Sequence, residues 1–284
     1  MPTQPLFVVS SGRAGSATMA KLLNMVPGIE MRHEYLVHIM QPLAFRYNCG
    51  LVPFDEARNK IREVYSSAIF YSESKIWGDC SNKASWLIHP ILRTFPKAKF
   101  IHLIRDGRKV ASSYYHKLGN ECYDDKSVEI TRAWINRTGV ELIRASIPIP
   151  PYEKKYWWPL PPDTSWDRFQ NICWHWQEIN RVILKELEQV DRDKQLTIRL
   201  EDLVNEKLAV PELLLDFLGL EVEHELFRKM IAFLQTPHNI STPVDRLLTL
   251  KQTKQFWAIA GEMMFNLGYE DRKEYTVDYD RGKM

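Results

Sequence analysis

The stretch Leu6–Phe7–Val8–Val9–Ser10–Ser11–Gly12–Arg13–Ala14–Gly15–Ser16–Ala17–Thr18 constrains the fold more than any other part of the chain. Four consecutive apolar, β-prone residues run into a Gly/Ser turn, and Met19, Leu22, Leu23 and Val26 then repeat at helical spacing. The pattern predicts a strand, a tight loop and a helix. Such a loop turns backbone N–H groups toward one point, and the helix N-terminus adds partial positive charge there, which makes an anion site. Gly12 and Gly15 allow close backbone approach, and Arg13 adds a permanent cation with a planar fork of donors. Taken alone, the stretch fits a plain β–α turn with a surface arginine slightly better.

The rest of the chain repeats the theme. Ile29–Met31, Lys75–Asp79, Lys99–Ile104 and Gln195–Leu200 read as further strands. Helical patterns cover Glu34–Phe45, Asp55–Phe70 (with Asp55 as its cap), Trp86–Leu92, the stretch carrying Val110, Ala111, Tyr114 and Leu118, and residues 128–146. The long stripe from Phe169 to Leu187 is the clearest of them. Two more helices follow, one bracketed by Pro211 and Gly219 and one running through Trp257, Ala260, Met264 and Leu267 to Gly268. Strands alternating with helices predict an α/β fold with a central, mostly parallel sheet flanked by helices. Ligands of such sheets sit beyond the C-terminal ends of the strands, where the loops 10–18, 79–83 and 105–108 emerge together. We read residues 1–284 as one domain with a Pro- and Trp-rich insertion at about 147–168, where Pro148, Pro150, Pro151, Pro159, Pro161 and Pro162 block regular structure.

Charge narrows the function. Lys and Arg number 38 against 36 Asp and Glu, a net +2 with both signs mixed. No basic stripe points to nucleic acid, so an anion would be met by a local pocket. Cys49, Cys80, Cys122 and Cys173 are far apart with no C-x-x-C pair, which predicts neither a metal knuckle nor a disulfide framework and fits a reducing compartment. No signal peptide and no apolar run of membrane-spanning length stand out, so a cytoplasmic protein without a membrane span is expected.

The second informative segment is Arg105–Asp106–Gly107–Arg108–Lys109–Val110–Ala111–Ser112–Ser113–Tyr114–Tyr115–His116. Arg105 ends a strand and Ser113 lies two turns into the next helix, so a guanidinium fork and a hydroxyl can hold one phosphate from two sides. An isolated R-x7-S reads more simply as a helix-start arginine and a small buried serine. The two segments together, however, resemble the cofactor signatures of sulfotransferases that use PAPS (3′-phosphoadenosine 5′-phosphosulfate). Gly12–Arg13–Ala14–Gly15–Ser16–Ala17–Thr18 is similar to the family's 5′-phosphosulfate loop, and Arg105 to Ser113 matches its 3′-phosphate motif in residue type and spacing. Phe95–Pro96–Lys97–Ala98–Lys99–Phe100, Glu201–Asp202–Leu203–Val204 and Trp257 to Tyr269 extend the resemblance over about residues 6–270. Its flavour is nearest to tyrosylprotein, carbohydrate and bacterial sulfotransferases. Ala17 departs from the pattern where a second hydroxyl belongs, and neither an aromatic after the loop nor the glycine-rich C-terminal phosphate motif of cytosolic sulfotransferases is present.

The resemblance implies a P-loop-kinase-like architecture and transfer of a sulfuryl group from PAPS to a hydroxyl or amine, without a metal. It implies that the loop, with Ser16 and Thr18, binds the 5′-phosphosulfate, that Arg105 and Ser113 read the 3′-phosphate, and that Arg13 neutralises charge on the leaving group. It makes Glu34 the first choice for general base and Lys83 a stabiliser of the sulfuryl group, with His33 and Asp79 as other candidates for the base. An exposed helix-start carboxylate at 34 and a solvated loop lysine at 83 are the plainer alternatives. Tyr156, Trp157 and Trp158 in the proline-rich loop fit an acceptor pocket or, equally well, anchors of that loop on the core. The acceptor is a small molecule, carbohydrate or peptide. The competing functions are a P-loop kinase, whose G-x-x-x-x-G-K-[ST] loop and metal-binding carboxylate are not matched here, and a non-catalytic nucleotide-binding module.

Overall fold

A computed structural model describes residues 2–118, 122–124, 128, 159–163, 165–206, 208–236 and 247–269. Five strands form one sheet: β1 (Gln4–Val9), β2 (Ile29–His33), β3 (Ile76–Cys80), β4 (Lys99–Ile104) and β5 (Gln195–Arg199). They lie in the order β2-β3-β1-β4-β5, and every neighbouring pair is parallel. The chain leaves β1 in the middle, fills one side with β2 and β3, and then crosses to the other with β4. That reversal is the switch point at which open α/β sheets bind ligands. Because β3, β1 and β4 are adjacent, the three polar loops expected at one edge do emerge side by side.

The connecting helices are α1 (Ser16–Leu23), α2 (Val37–Asn48), α3 (Phe54–Phe70), α4 (Ile88–Thr94), α5 (Gly107–Lys117), α6 (Arg168–Leu187), α7 (Leu200–Asn205), α8 (Ala209–Leu218), α9 (His224–Gln235) and α10 (Leu250–Asn266). Side chains of a strand alternate between faces, so β1 buries Leu6 and Val8 on one side and Phe7 and Val9 on the other. Leu6 and Val8 pack with Met19 and Leu22 of α1, Leu214 of α8 and Met230 of α9. Phe7 and Val9 pack with Ile61 of α3, Ile91 of α4 and Ile183 of α6. A third core joins Tyr114 of α5, Trp176 of α6 and Phe256 of α10 with Ile104 at the end of β4.

Several local rules explain the helix starts. Asp167 and Gln170 form a capping box at α6, with the Asp167 carboxylate accepting the Gln170 N–H at 2.9 Å and Gln170 Oε1 accepting the Asp167 N–H at 3.1 Å. Thr249 and Gln252 do the same at α10. Asp55, expected as the cap of α3, instead lies in its first turn, and Pro53 holds the cap position without a side-chain bond. There the carboxylate meets the helix dipole rather than a backbone donor. The helix expected from Trp86 to Leu92 is split into a 3-10 turn, Ala84–Trp86, and α4. The helix expected from Glu34 begins only at Val37, because Glu34 and Leu36 adopt left-handed backbone angles, φ 57° and 44°. Residues 129–146 of the expected helix 128–146 lie outside the described residues, as do Tyr152, Tyr156, Trp157 and Trp158. No helix among the described residues is long and apolar enough to cross a membrane.

Gly78 sits in the middle of β3, where a Cβ would run into the Leu6 carbonyl oxygen and come within 2.6 Å of Met31 Sδ. Gly78→Ala should therefore cost about 1–3 kcal/mol, read as a lower urea midpoint; a loss under about 0.5 kcal/mol would contradict this packing. His102 on β4 is fully buried and its Nε2 lies 3.0 Å from Asn180 Oδ1. Burial pushes its pKa down to about 4, and that of the equally buried His175 down to about 3. Both histidines take up a proton more readily when unfolded, so the stability they allow is present above about pH 6.5 and is lost as pH falls toward the folded values. His102→Gln should flatten the fall in urea midpoint between about pH 7 and pH 5; an unchanged slope would contradict the assignment.

Candidate active site

The loop after β1 is shaped by three left-handed residues. Gly12, Arg13 and Gly15 have φ of 77°, 55° and 96°. Glycine takes such angles freely, whereas a non-glycine residue like Arg13 pays about 1–2 kcal/mol for them. Gly12 also lies under other groups: a Cβ there would strike Tyr114 Oη and sit 2.6 Å from Asn82 Nδ2. The Tyr114 hydroxyl donates to the Ser11 carbonyl at 2.9 Å, and Ser85 Oγ both accepts the Ser10 N–H at 2.9 Å and donates to its carbonyl at 2.8 Å. The turn is thus fixed from β3's loop on one side and from α5 on the other. Gly15 caps α1 without a side-chain hydrogen bond, and the first turn carries no acid. The N–H groups of Ser16, Ala17 and Thr18 therefore have no intrahelical acceptor, and the helix end is electropositive.

The second segment folds as the sequence predicts. β4 ends at Ile104, and Asp106 caps α5 by accepting the Arg108 N–H at 2.8 Å. The same carboxylate grips the Arg108 guanidinium through both oxygens, Oδ1 accepting from Nε at 3.0 Å and Oδ2 from an NH2 hydrogen at 2.7 Å. Behind it, buried Glu201 accepts the Asp106 N–H at 3.0 Å and the Tyr269 hydroxyl at 3.0 Å, which ties the C-terminal end of α10 to the β4–α5 turn. The two segments then meet at Arg13. Arg105 donates through an NH1 hydrogen to the Arg13 carbonyl at 3.0 Å, and Arg13 Nε donates to Ser113 Oγ at 3.1 Å. Residues 92 and 100 positions apart in sequence are thereby joined around one cradle.

A third cluster comes from the ends of β2 and β3. His33 Nε2 lies 3.1 Å from Ser16 Oγ, next to the start of α1. Partial desolvation lowers the His33 pKa, with Glu34 opposing. Lys83 donates to Glu34 Oε1 at 2.6 Å, and the lysine side chain is only 2% exposed against 33% for the glutamate. Burial lowers the Lys83 pKa and the nearby Glu34 carboxylate raises it. Asp79 behaves differently from the other acid. It is fully buried, its Oδ1 accepts the Tyr35 N–H at 3.0 Å, and its Oδ2 accepts the Tyr65 hydroxyl at 2.9 Å. Desolvation raises its pKa to about 7 against the pull of those two donors.

The structure therefore brings Gly12 to Thr18, His33, Glu34, Lys83, Arg105 and Ser113 to one edge of the sheet, with Asp79 beneath them. Tyr156, Trp157 and Trp158 lie outside the described residues. The reading of the sequence gave Tyr65 and Ser85 no part in this framework; it placed Asn82 in the loop 79–83 expected at this edge, and it named Glu201 and Tyr269 only as part of the family resemblance. The closeness of Ser85 to Lys83 in sequence is a signal for it, whereas Tyr65 arrives from a distant element. Among the described residues, no group of three or more His, Cys, Asp or Glu side chains is placed to hold a metal ion. The donors at the edge are instead cationic side chains, hydroxyls and main-chain N–H groups, which suit an anionic ligand.

A family model described as "Sulfotransferase family" matches residues 5–146, half of the 284-residue chain. No curated protein matches the chain. Among solved structures, the sulfotransferase STF9 from Mycobacterium avium is similar with a TM-score of 0.56 and 11% identity, over 96% of this chain and 79% of that one. The sulfotransferase domain from the curacin biosynthetic pathway gives a TM-score of 0.49 at 15% identity, over 95% of this chain and 99% of its own. Mouse sulfotransferase SULT7A1, solved with PAP, gives 0.46 at 12% identity over 93% and 85%. The Mycobacterium avium enzyme shares the parallel sheet and flanking helices described above. On the family match and this shared fold, the chain belongs to the sulfotransferase family.

Proposed function

We propose that this chain, working as one domain, moves a sulfuryl group from PAPS to an acceptor hydroxyl or amine and releases PAP, the 3′,5′-bisphosphate. The observation that carries the reading is the joint at Arg13. A donor with phosphates at both ends of its ribose needs two anion pockets at a fixed separation. Arg13 links the loop suited to one phosphate to Arg105 and Ser113, which suit the other.

Each residue then has a chemical task. The N–H groups at the start of α1, with Ser16 and Thr18, hold the 5′-phosphosulfate, and Gly12, Ala14, Gly15 and Ala17 keep the loop small enough for its approach. Arg105 and Ser113 hold the 3′-phosphate, the group that separates PAPS from ATP. PAPS itself supplies an activated sulfuryl group on a phosphate leaving group. Transfer of this kind resembles phosphoryl transfer, where positioning and charge stabilisation dominate. Glu34 takes the acceptor proton as the acceptor oxygen bonds to sulfur. The bond from sulfur to the phosphate oxygen breaks, and Arg13 balances the negative charge that collects on that oxygen. Lys83 stands by the sulfuryl oxygens, and His33, 3.1 Å from Ser16, is the alternative proton acceptor. The chemistry needs no metal. The acceptor is a small molecule, a carbohydrate or a peptide; the near-neutral charge gives no support to nucleic acid. Cytoplasmic residence remains the expectation from cysteine usage.

The test is incubation with isotopically labelled PAPS and a panel of phenols, sugars, peptides and lipid alcohols, read as the mass gain of one sulfuryl group. Glu34→Gln should lower turnover by about 10²–10⁴-fold while PAP binding, measured by calorimetry, stays at the wild-type level. Turnover that survives the substitution would move the base to His33, and stabilisation by Mg-ATP but not by PAP would overturn the sulfuryl-transfer reading.

A further inference from the structure

The turn that presents Glu34 is held in an unfavourable backbone shape. Glu34 and Leu36 both have positive φ, at 57° and 44°, on either side of Tyr35. Neither is a glycine, so local preference opposes this shape and a tertiary contact must impose it. Three contacts converge on the intervening peptide. The Glu34 N–H donates to the Cys80 carbonyl at 3.2 Å, continuing the β2–β3 pairing by one residue. The Tyr35 ring packs edge-on against Trp77 at 5.1 Å and lies 5.9 Å from the Tyr65 ring. The Tyr35 N–H donates to Asp79 Oδ1 at 3.0 Å, and the other oxygen of that carboxylate is fixed by the Tyr65 hydroxyl at 2.9 Å.

We propose that Asp79, locked by Tyr65, is a positioning residue that sets the Glu34 carboxylate against Lys83. Asp79 sits on β3 in register with Arg32 of β2, one residue short of the turn, and is fully buried. A carboxylate there accepts a main-chain N–H that would otherwise have no reason to point inward. It thereby holds the peptide between the two left-handed residues and fixes where the Glu34 side chain leaves the backbone. This rests on the reading of Glu34 as the acceptor-activating base. It adds that the second acid of the cluster acts through the first and does not meet the acceptor.

The experiment compares Asp79→Ala with Asp79→Asn, whose amide oxygen still accepts the Tyr35 N–H. Three quantities are measured: PAP release from PAPS with 4-nitrophenol as a probe acceptor, PAP affinity by calorimetry, and the place of Glu34 in a crystal structure of each variant. Asp79→Ala should lower kcat by about 10²-fold with KM for PAPS and PAP affinity unchanged, because a displacement near 1 Å of a catalytic group costs about that much. In its crystal structure Glu34 should leave Lys83. Asp79→Asn should restore most of kcat and the Glu34–Lys83 contact. A merely structural role would weaken PAP binding along with kcat, and that result overturns the proposal. If Asp79→Ala does not fold, the double variant Asp79→Leu/Tyr65→Phe removes both buried polar partners at similar volume, and the same outcome is expected of it. Glu34 still seated on Lys83 in Asp79→Ala or in the double variant overturns the proposal. If the wild-type chain releases no PAP from PAPS, the proposed function fails, and the position of Glu34 in the variants still decides the role of Asp79.

Discussion

Arg13 is the joint on which the site depends. Its backbone is left-handed, its carbonyl accepts from Arg105, and its Nε donates to Ser113. A single residue therefore fixes the loop after β1, the end of β4 and the second turn of α5 relative to one another. A chain cannot hold an arginine in this shape for nothing, since the left-handed region is costly for a residue with a Cβ. The surroundings impose it: Tyr114 and Ser85 bind the carbonyls just before it, and the third core behind α5, α6 and α10 keeps Tyr114 in place. The Glu201 clamp on the Asp106 N–H and Tyr269 extends the same framework to the end of α10.

Charge is concentrated locally in a chain of net charge +2. Lys83 is nearly fully buried, and a buried ammonium is stable only beside an opposite charge, which Glu34 supplies. The pair keeps both groups in reserve at the rim of the cradle. Asp79 completes the cluster from below: its raised pKa, near 7, reflects the cost of keeping a carboxyl group dry while it organises the turn above it.

What the sequence disclosed was local. β4, from Lys99 to Ile104, lies where the reading placed it, because an apolar β-prone run between Pro96 and the Arg105–Asp106 turn leaves little choice. The β1 loop and the start of α1 are equally plain, since Gly12 and Gly15 mark positive φ directly. Glu34 and Leu36 carry no such mark. Nothing in their side chains announces left-handed backbone, so a helix was expected to begin at Glu34 when it begins at Val37. The contacts that force the difference come from Asp79, 44 residues away, and from Tyr65. Asp79 shows the same limit from the other side: its place at a strand end suggested a base, and only the fold reveals that Tyr35 and Tyr65 occupy both of its oxygens. The α9 helix is not among the helices read from the sequence, although Leu226, Phe227, Met230 and Leu234 recur at helical spacing and pack on the core beside α1 and the sheet.

On the proposed function, the two segments form one site that reads a 3′-phosphate. The direct measurement is calorimetric titration of the wild-type chain and of Arg105→Ala with PAP and with 5′-AMP, which lacks that phosphate. The account predicts that the wild type prefers PAP by at least about tenfold, the worth of one charge-assisted contact of roughly 1.5–3 kcal/mol, and that the preference disappears in Arg105→Ala. Equal affinity of the wild type for the two nucleotides, or a preference that survives the loss of Arg105, would contradict it.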